Sequence, residues 1–276
     1  MEACPRTVLD VSNSGVRIRG EIHGSGHPIV FLHGFPEFHG IWNRQVAHLC
    51  PRHLTIAPDL RGFNLSDRPA GMKHYSADAL ASDVLAILDQ LNCDSATVVG
   101  HDIGGLAAWW LAAHFPHRLD GLILISSPHP ADYLTYRAEH PAHRNYLDDI
   151  LDGKTEALMV PERLTFWAKE AERPSLLAAL QRTDIDAVRS IYRMSLGRDC
   201  LPQWLKLPRI SVPSLVIYGE ADEFVKPEAF ATIQKWFAEP ATIVKLADGG
   251  HFLHSRMADQ VNFIINNWLC ETRQIR

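Results

Sequence analysis

The sequence predicts an α/β protein: a mostly parallel β-sheet flanked by helices, with a helical segment inserted into the sheet domain. Three observations carry this expectation. Short apolar runs, the pattern of strands buried on both faces, recur at Pro28–Leu32, Leu54–Pro58, Ala96–Val99, Leu122–Ile125, Ser214–Tyr218 and Thr242–Leu246. Helical patterns lie between several of them. Between about Ser127 and Leu207 the strand-like runs stop, and helical sequence is punctuated by Pro130, Pro141, Pro161, Pro174 and Pro202.

In chain order, alternation around Val8–Val11 and Val16–Ile22 predicts a hairpin of edge strands turning at Asn13, Ser14 and Gly15. Tyr75–Leu91 is the clearest helix, because Leu80, Val84, Ile87, Leu88 and Leu91 recur on one face. A second runs from Gly104 to Phe115 and is stopped by Pro116. The domain reading is a core of 1–127 and 208–276 with a helical cap at 128–207. In such sheets chemistry gathers outside the carboxyl ends of the strands.

Bulk properties narrow the function. A chain of 276 residues, 46% hydrophobic and 21% charged, can bury a sizeable core and is not disordered. With net charge -5 and dispersed basic residues, it offers no patch for nucleic acid or anionic lipid. No segment approaches the apolar length of a membrane span. Five scattered cysteines (Cys4, Cys50, Cys93, Cys200, Cys270) lack a C-x-x-C pair, so no disulfide framework and no thiolate metal site are expected. The expectation is a cytoplasmic protein, a monomer or homodimer, that acts on a small molecule.

The chemistry concentrates at Gly100-His101-Asp102-Ile103-Gly104-Gly105, a sharp turn between a buried strand and a helix. This is the grammar of a nucleophile elbow, with Asp102 where serine usually stands. Asp also caps helices well, so the elbow gains weight from its companions. In this architecture the acid and the histidine follow later strands, and here Asp222 follows Ser214–Tyr218 and His251 follows Thr242–Leu246. Glu220 and Glu223 compete with Asp222, and His254 with His251. After the strand Pro28–Leu32 comes His33-Gly34-Phe35-Pro36, where a second oxyanion donor belongs; the candidate donors are the amides of Phe35 and Ile103. No H-E-x-x-H occurs among the fifteen histidines, and neither metal nor cofactor is expected.

These residues together resemble the α/β-hydrolase superfamily. His33-Gly34-Phe35-Pro36-Glu37 and Gly100-His101-Asp102-Ile103-Gly104-Gly105 resemble its epoxide hydrolase branch, and the likeness covers nearly the whole chain apart from the cap. Asp59-Leu60-Arg61-Gly62-Phe63 and Ser127-Pro128-His129-Pro130 are similar to that branch in places read as structural. The resemblance implies an α/β-hydrolase fold, a small hydrophobic epoxide as substrate and a covalent ester on Asp102, hydrolysed by water that His251 and Asp222 activate. It also implies two ring-opening tyrosines in the cap. Tyr192 matches the second; Tyr146 lies nearest the place of the first, with Tyr133, Tyr136 and Trp167 as substitutes. Trp167, His33 and Pro36 are expected to contact substrate. Haloalkane dehalogenases share the Asp and His machinery but are known for Trp after the nucleophile, and haloacetate dehalogenases for Arg there and three residues on. Here those positions hold Ile103 and Leu106. A noncatalytic binding protein on the same fold is the reading from another class.

Overall fold

The computed structural model describes residues 4–143, 145–154, 160–197 and 199–274. Its chain opens with the hairpin β1 (Arg6–Asn13) and β2 (Val16–His23), antiparallel and joined by Ser14 and Gly15 at φ 50° and 82°. Positive φ at both turn residues matches the twist of a tight hairpin. The six expected strands follow as β3 (His27–Leu32), β4 (His53–Pro58), β5 (Ala96–His101), β6 (Leu119–Ile125), β7 (Ser214–Gly219) and β8 (Thr242–Leu246). They form one eight-stranded sheet in the order β1-β2-β4-β3-β5-β6-β7-β8, parallel from β4 to β8.

Two strands depart from expectation. Only β1 of the hairpin is an edge, because β2 also pairs antiparallel with β4. At the other edge, β8 exposes Thr242, Ile243 and Lys245 and buries only Leu246. A short apolar run reveals a strand, whereas its burial depends on its place in the sheet.

The core helices are α1 (Asn43–Leu49), α2 (Ala77–Gln90) and α3 (Ile103–His114). The Ser76 side chain accepts the Ala79 amide and so starts α2 two residues later than periodicity alone suggests. Helix α3 buries all but two of its residues, packed behind the middle of the sheet. Between β6 and β7 come α4 (Pro130–Glu139), α5 (Tyr146–Leu151), α6 (Pro161–Thr165), α7 (Arg173–Leu180), α8 (Ile185–Leu196) and α9 (Leu201–Leu205), with no strand among the described residues. Pro130, Pro161, Pro174 and Pro202 sit in first turns, where the missing N–H costs nothing, so they start helices instead of breaking them. After β8, α10 (Leu253–Arg256) and α11 (Ala258–Gln274) close the fold. No described helix is long and apolar enough to cross a membrane.

The cysteine reading is corrected. Cys4 and Cys50 form a disulfide that joins the start of the hairpin to the end of α1, across a separation of 46 residues. The pairing arises because the Gly24 amide donates to the Pro5 carbonyl and the segment after α1 lies against Gly24, a proximity that no local spacing encodes. Disulfides persist in oxidising surroundings, so the cysteines give no support to a reducing compartment.

Candidate active site

Strand order reverses at β3, which has β4 on one side and β5 on the other, and the loops after β3 and β5 therefore flank a crevice. Asp102 stands between β5 and α3 at φ 47° and ψ -115°, a strained conformation for a residue with a side chain. The turn is tight because glycines permit it. A Cβ on Gly104 would run into the Leu32 carbonyl, and one on Gly100 would lie 2.8 Å from the Gly104 oxygen.

Five groups converge on the Asp102 carboxylate. Oδ1 accepts the Phe35 amide at 3.3 Å and the Tyr192 hydroxyl at 2.9 Å. Oδ2 accepts the Tyr146 hydroxyl at 3.1 Å and lies 3.6 Å from His251 Nε2. The Ile103 amide also hydrogen-bonds the carboxylate. The two tyrosine oxygens are 3.0 Å apart. Burial pushes the Asp102 carboxyl up, but the contact and charge of His251, the charge of His101 and the Ile103 amide outweigh it and hold the group below its ordinary value. Burial and the Asp102 charge push both tyrosine hydroxyls well above theirs, so each keeps its proton at neutral pH.

His251 Nδ1 meets Asp222 Oδ2 at 2.8 Å, while Asp222 Oδ1 accepts the amides of Phe224 and Val225 at 2.8 and 2.7 Å. Asp222, not Glu220 or Glu223, is thus the acid beside His251. His251 Nε2 is buried and has no hydrogen-bond partner among the described residues. Burial lowers the affinity of His251 for a second proton, yet Asp222 and Asp102 on either side raise it well above the ordinary value.

Tyr146 and Tyr192 reach the site by different routes. Tyr192 lies on the buried face of α8 with Val188, Ile191 and Leu196. Tyr146 is the first residue of α5, fixed by a capping box of Asn145 and Asp148. Tyr133 accepts from Asn145 and lines the small cavity at Asp102, and Tyr136 pairs with His143. The expected substrate contacts divide. Pro36 and Trp167 line the large cavity beside His251. His33 lines neither that cavity nor the small one at Asp102; its Nδ1 faces the Gly34 carbonyl and its Nε2 accepts the Leu60 amide. It braces the loop from below because both of its nitrogens are taken by the backbone.

Sequence reasoning missed the groups beneath the carboxylate. Glu37 Oε2 is 2.8 Å from His101 Nδ1, and Oε1 is 2.8 Å from His254 Nε2. His101 Nε2 faces the His251 carbonyl at 3.1 Å. Burial opposes the Glu37 charge, but the two imidazoles hold it well below the carboxylate range, while burial drives His254 down to about 4. Glu37, His101 and His254 are the group of the described residues whose donor atoms, within 4.8 Å of one another, could hold a metal ion. All but His254 Nδ1 already have polar partners, which is the pattern of a hydrogen-bonded chain. The sequence signals were the two motifs that contain Glu37 and His101, and the place of His254 three residues past His251.

Comparison with known proteins places this geometry. The family described as alpha/beta hydrolase fold matches residues 27–255. "Epoxide hydrolase 4" of Mus musculus is 28% identical over 95% of this chain and 78% of its own length. A solved structure from a study of novel epoxide hydrolases in metagenomes from hot environments has 29% identity and a TM-score of 0.81, covering 95% of this chain and 98% of that one. The Bacillus megaterium epoxide hydrolase with an inhibitor superposes with a TM-score of 0.83 at 24% identity, over 95% and 99% of the two chains.

Proposed function

The chain belongs to the α/β-hydrolase fold family, and from that premise we propose that it is an epoxide hydrolase working through a covalent ester on Asp102. The carrying observation is the convergence of two protonated hydroxyls, Tyr146 and Tyr192, on one ionised carboxylate. A carboxylate needs no base to act as a nucleophile, and it suits displacement at saturated carbon. An opening epoxide needs what a halide does not, a proton for the departing oxygen, and the tyrosines supply it. The named epoxide hydrolases among its relatives support the same reading.

In the first step an Asp102 oxygen attacks one epoxide carbon, the C–O bond breaks, and Tyr146 or Tyr192 protonates the alkoxide. In the second step His251 takes a proton from water, which attacks the ester carbonyl. The amides of Phe35 and Ile103 stabilise the oxyanion, the acyl–oxygen bond breaks, the departing oxygen takes the proton of the regenerated Asp102 carboxyl, and the diol leaves. The proton on His251 returns through solvent to the tyrosinate. Esterification itself prepares the base: once the Asp102 charge is gone, one of the two acids that hold the proton on His251 has vanished. The helices of 128–207 serve as the cap that carries both tyrosines.

Dehalogenation fits less well. The residue after Asp102 is Ile103, which offers no side-chain donor to a halide, and the Trp167 indole N–H in the large cavity is spent on the Leu164 carbonyl at 2.9 Å. A single turnover of styrene oxide in oxygen-18 water tests the reading. Unlabelled first-turnover diol with label entering Asp102 is expected; diol labelled from the start would mean direct attack by water and refute it.

A further inference from the structure

Two cavities of very unequal size share Tyr146; His251 lines the larger and Asp102 the smaller. On the His251 side lies a cavity of about 480 Å³ walled by Phe35, Pro36, Trp167, Phe224 and Phe252. Trp167 stacks on Phe252 with ring centroids 3.8 Å apart and planes 10° apart, so one wall is a fixed aromatic surface. On the other side lies a cavity of about 30 Å³, bounded by Leu106, Leu147, Leu196 and Val225. That space holds about one or two waters, or a methyl group. Tyr146 is in the walls of both and Tyr192 in those of the small one, with the two hydroxyls 3.0 Å apart where the cavities adjoin.

A third cavity of about 680 Å³ lies behind the small one, among the helices that carry Leu134, Arg137, Leu151 and Leu201. The one residue lining both the small cavity and this third one is Leu196. Leu196 is 7% exposed and sits one turn beyond Tyr192 on α8. Its side chain belongs to the walls of both spaces.

Building on the epoxide-hydrolase reading, we propose that the substrates are epoxides with one bulky apolar substituent, preferably aryl, and at the other carbon nothing larger than methyl, and that Leu196 sets that limit. The reacting ring must lie within reach of Asp102 and both hydroxyls, at the junction of the cavities. One substituent then extends over the Trp167–Phe252 face, and the other is confined to the small space. A phenyl group there would have to displace packed side chains, which interiors resist. Because open volume lies directly behind Leu196, shortening this residue joins the two spaces and relaxes the limit abruptly.

The test compares kcat/KM for styrene oxide, trans-β-methylstyrene oxide and trans-stilbene oxide in the wild type and in Leu196→Ala. The wild type should accept the first two and turn over trans-stilbene oxide slower by about a hundredfold or more, the scale on which a tight pocket discriminates. Leu196→Ala should raise the ratio of trans-stilbene oxide to styrene oxide by about tenfold or more. Leu201→Ala, which opens only the rear cavity, should leave the ratio where it was. If Leu196→Ala melts below the assay temperature, Leu196→Val replaces it, with a smaller rise in the same direction. Equal wild-type rates on stilbene and styrene oxides, or an unmoved ratio in the folded variant, would overturn the size rule alone. Absence of styrene oxide turnover would remove the underlying reading and the size rule with it.

Discussion

Tyr192→Phe separates the two chemical steps. The substitution keeps the buried ring on α8 and removes one oxygen, so no cavity forms and Tyr146 stays as the second donor. What is lost is a hydroxyl 2.9 Å from Asp102 Oδ1, in a site where it would face the departing epoxide oxygen. A buried hydrogen bond to a charged group contributes about 1.5 to 3 kcal/mol. At about 1.4 kcal/mol per tenfold, ring opening should slow by roughly 10- to 100-fold, with Tyr146 setting the floor. Ester hydrolysis uses His251 and the Phe35 and Ile103 amides, none of which Tyr192 touches through its hydroxyl, and its rate should change less than about threefold. Rapid-quench single turnovers of styrene oxide resolve both steps, with the ester counted by intact mass. Equal slowing of alkylation and hydrolysis would refute the assignment of Tyr192 as an acid.

Three other outcomes follow from the same geometry. His251→Gln should form the ester and stall, so intact-protein mass rises by the mass of the epoxide; an unchanged mass would count against the two-step scheme. For pH, Asp102 is held below its ordinary value and both tyrosines above theirs, so the alkylation rate should stay flat from about pH 5 to about pH 10. The hydrolysis rate should instead fall on the acid side as His251 in the ester gains a proton, and stopped-flow traces across that range distinguish the two. Reduction of Cys4–Cys50 releases a loop of 46 residues and should cost up to about 4 kcal/mol by loop-closure entropy, read as a lower denaturant midpoint in dithiothreitol. The unreduced, denatured chain should titrate three thiols, and five would show that the bridge is absent.

The turn at Asp102 was legible because its signals are local: a buried strand, three glycines around an acid, then a helix. Asp222 and His251 were legible as residues that follow strands, and the placement of Asp222 against His251 needed only the sheet order. Tyr146 was harder. Its helix has only six residues, too few for periodicity to reveal, and its start is set by the capping box of Asn145 and Asp148. The Cys4–Cys50 bridge and the exposure of β8 were illegible for a common reason: both depend on which distant segments become neighbours, and neither composition nor periodicity carries that information.

The same limit hid Glu37, whose position explains how three separate loops keep one geometry. Its carboxylate accepts the Gly34 amide at 2.8 Å, tying down the loop that presents the Phe35 N–H. It also holds His101, next to Asp102, and His254, in the helix after His251. Both nitrogens of His101 face acceptors, the Glu37 carboxylate and the His251 carbonyl, so its ring links the loop after β3 to the turn that carries His251. In the proposed mechanism, alkylation removes the Asp102 charge, one of the two carboxylates that raise the proton affinity of His251. The imidazole is thereby released as a base at the stage when one is required.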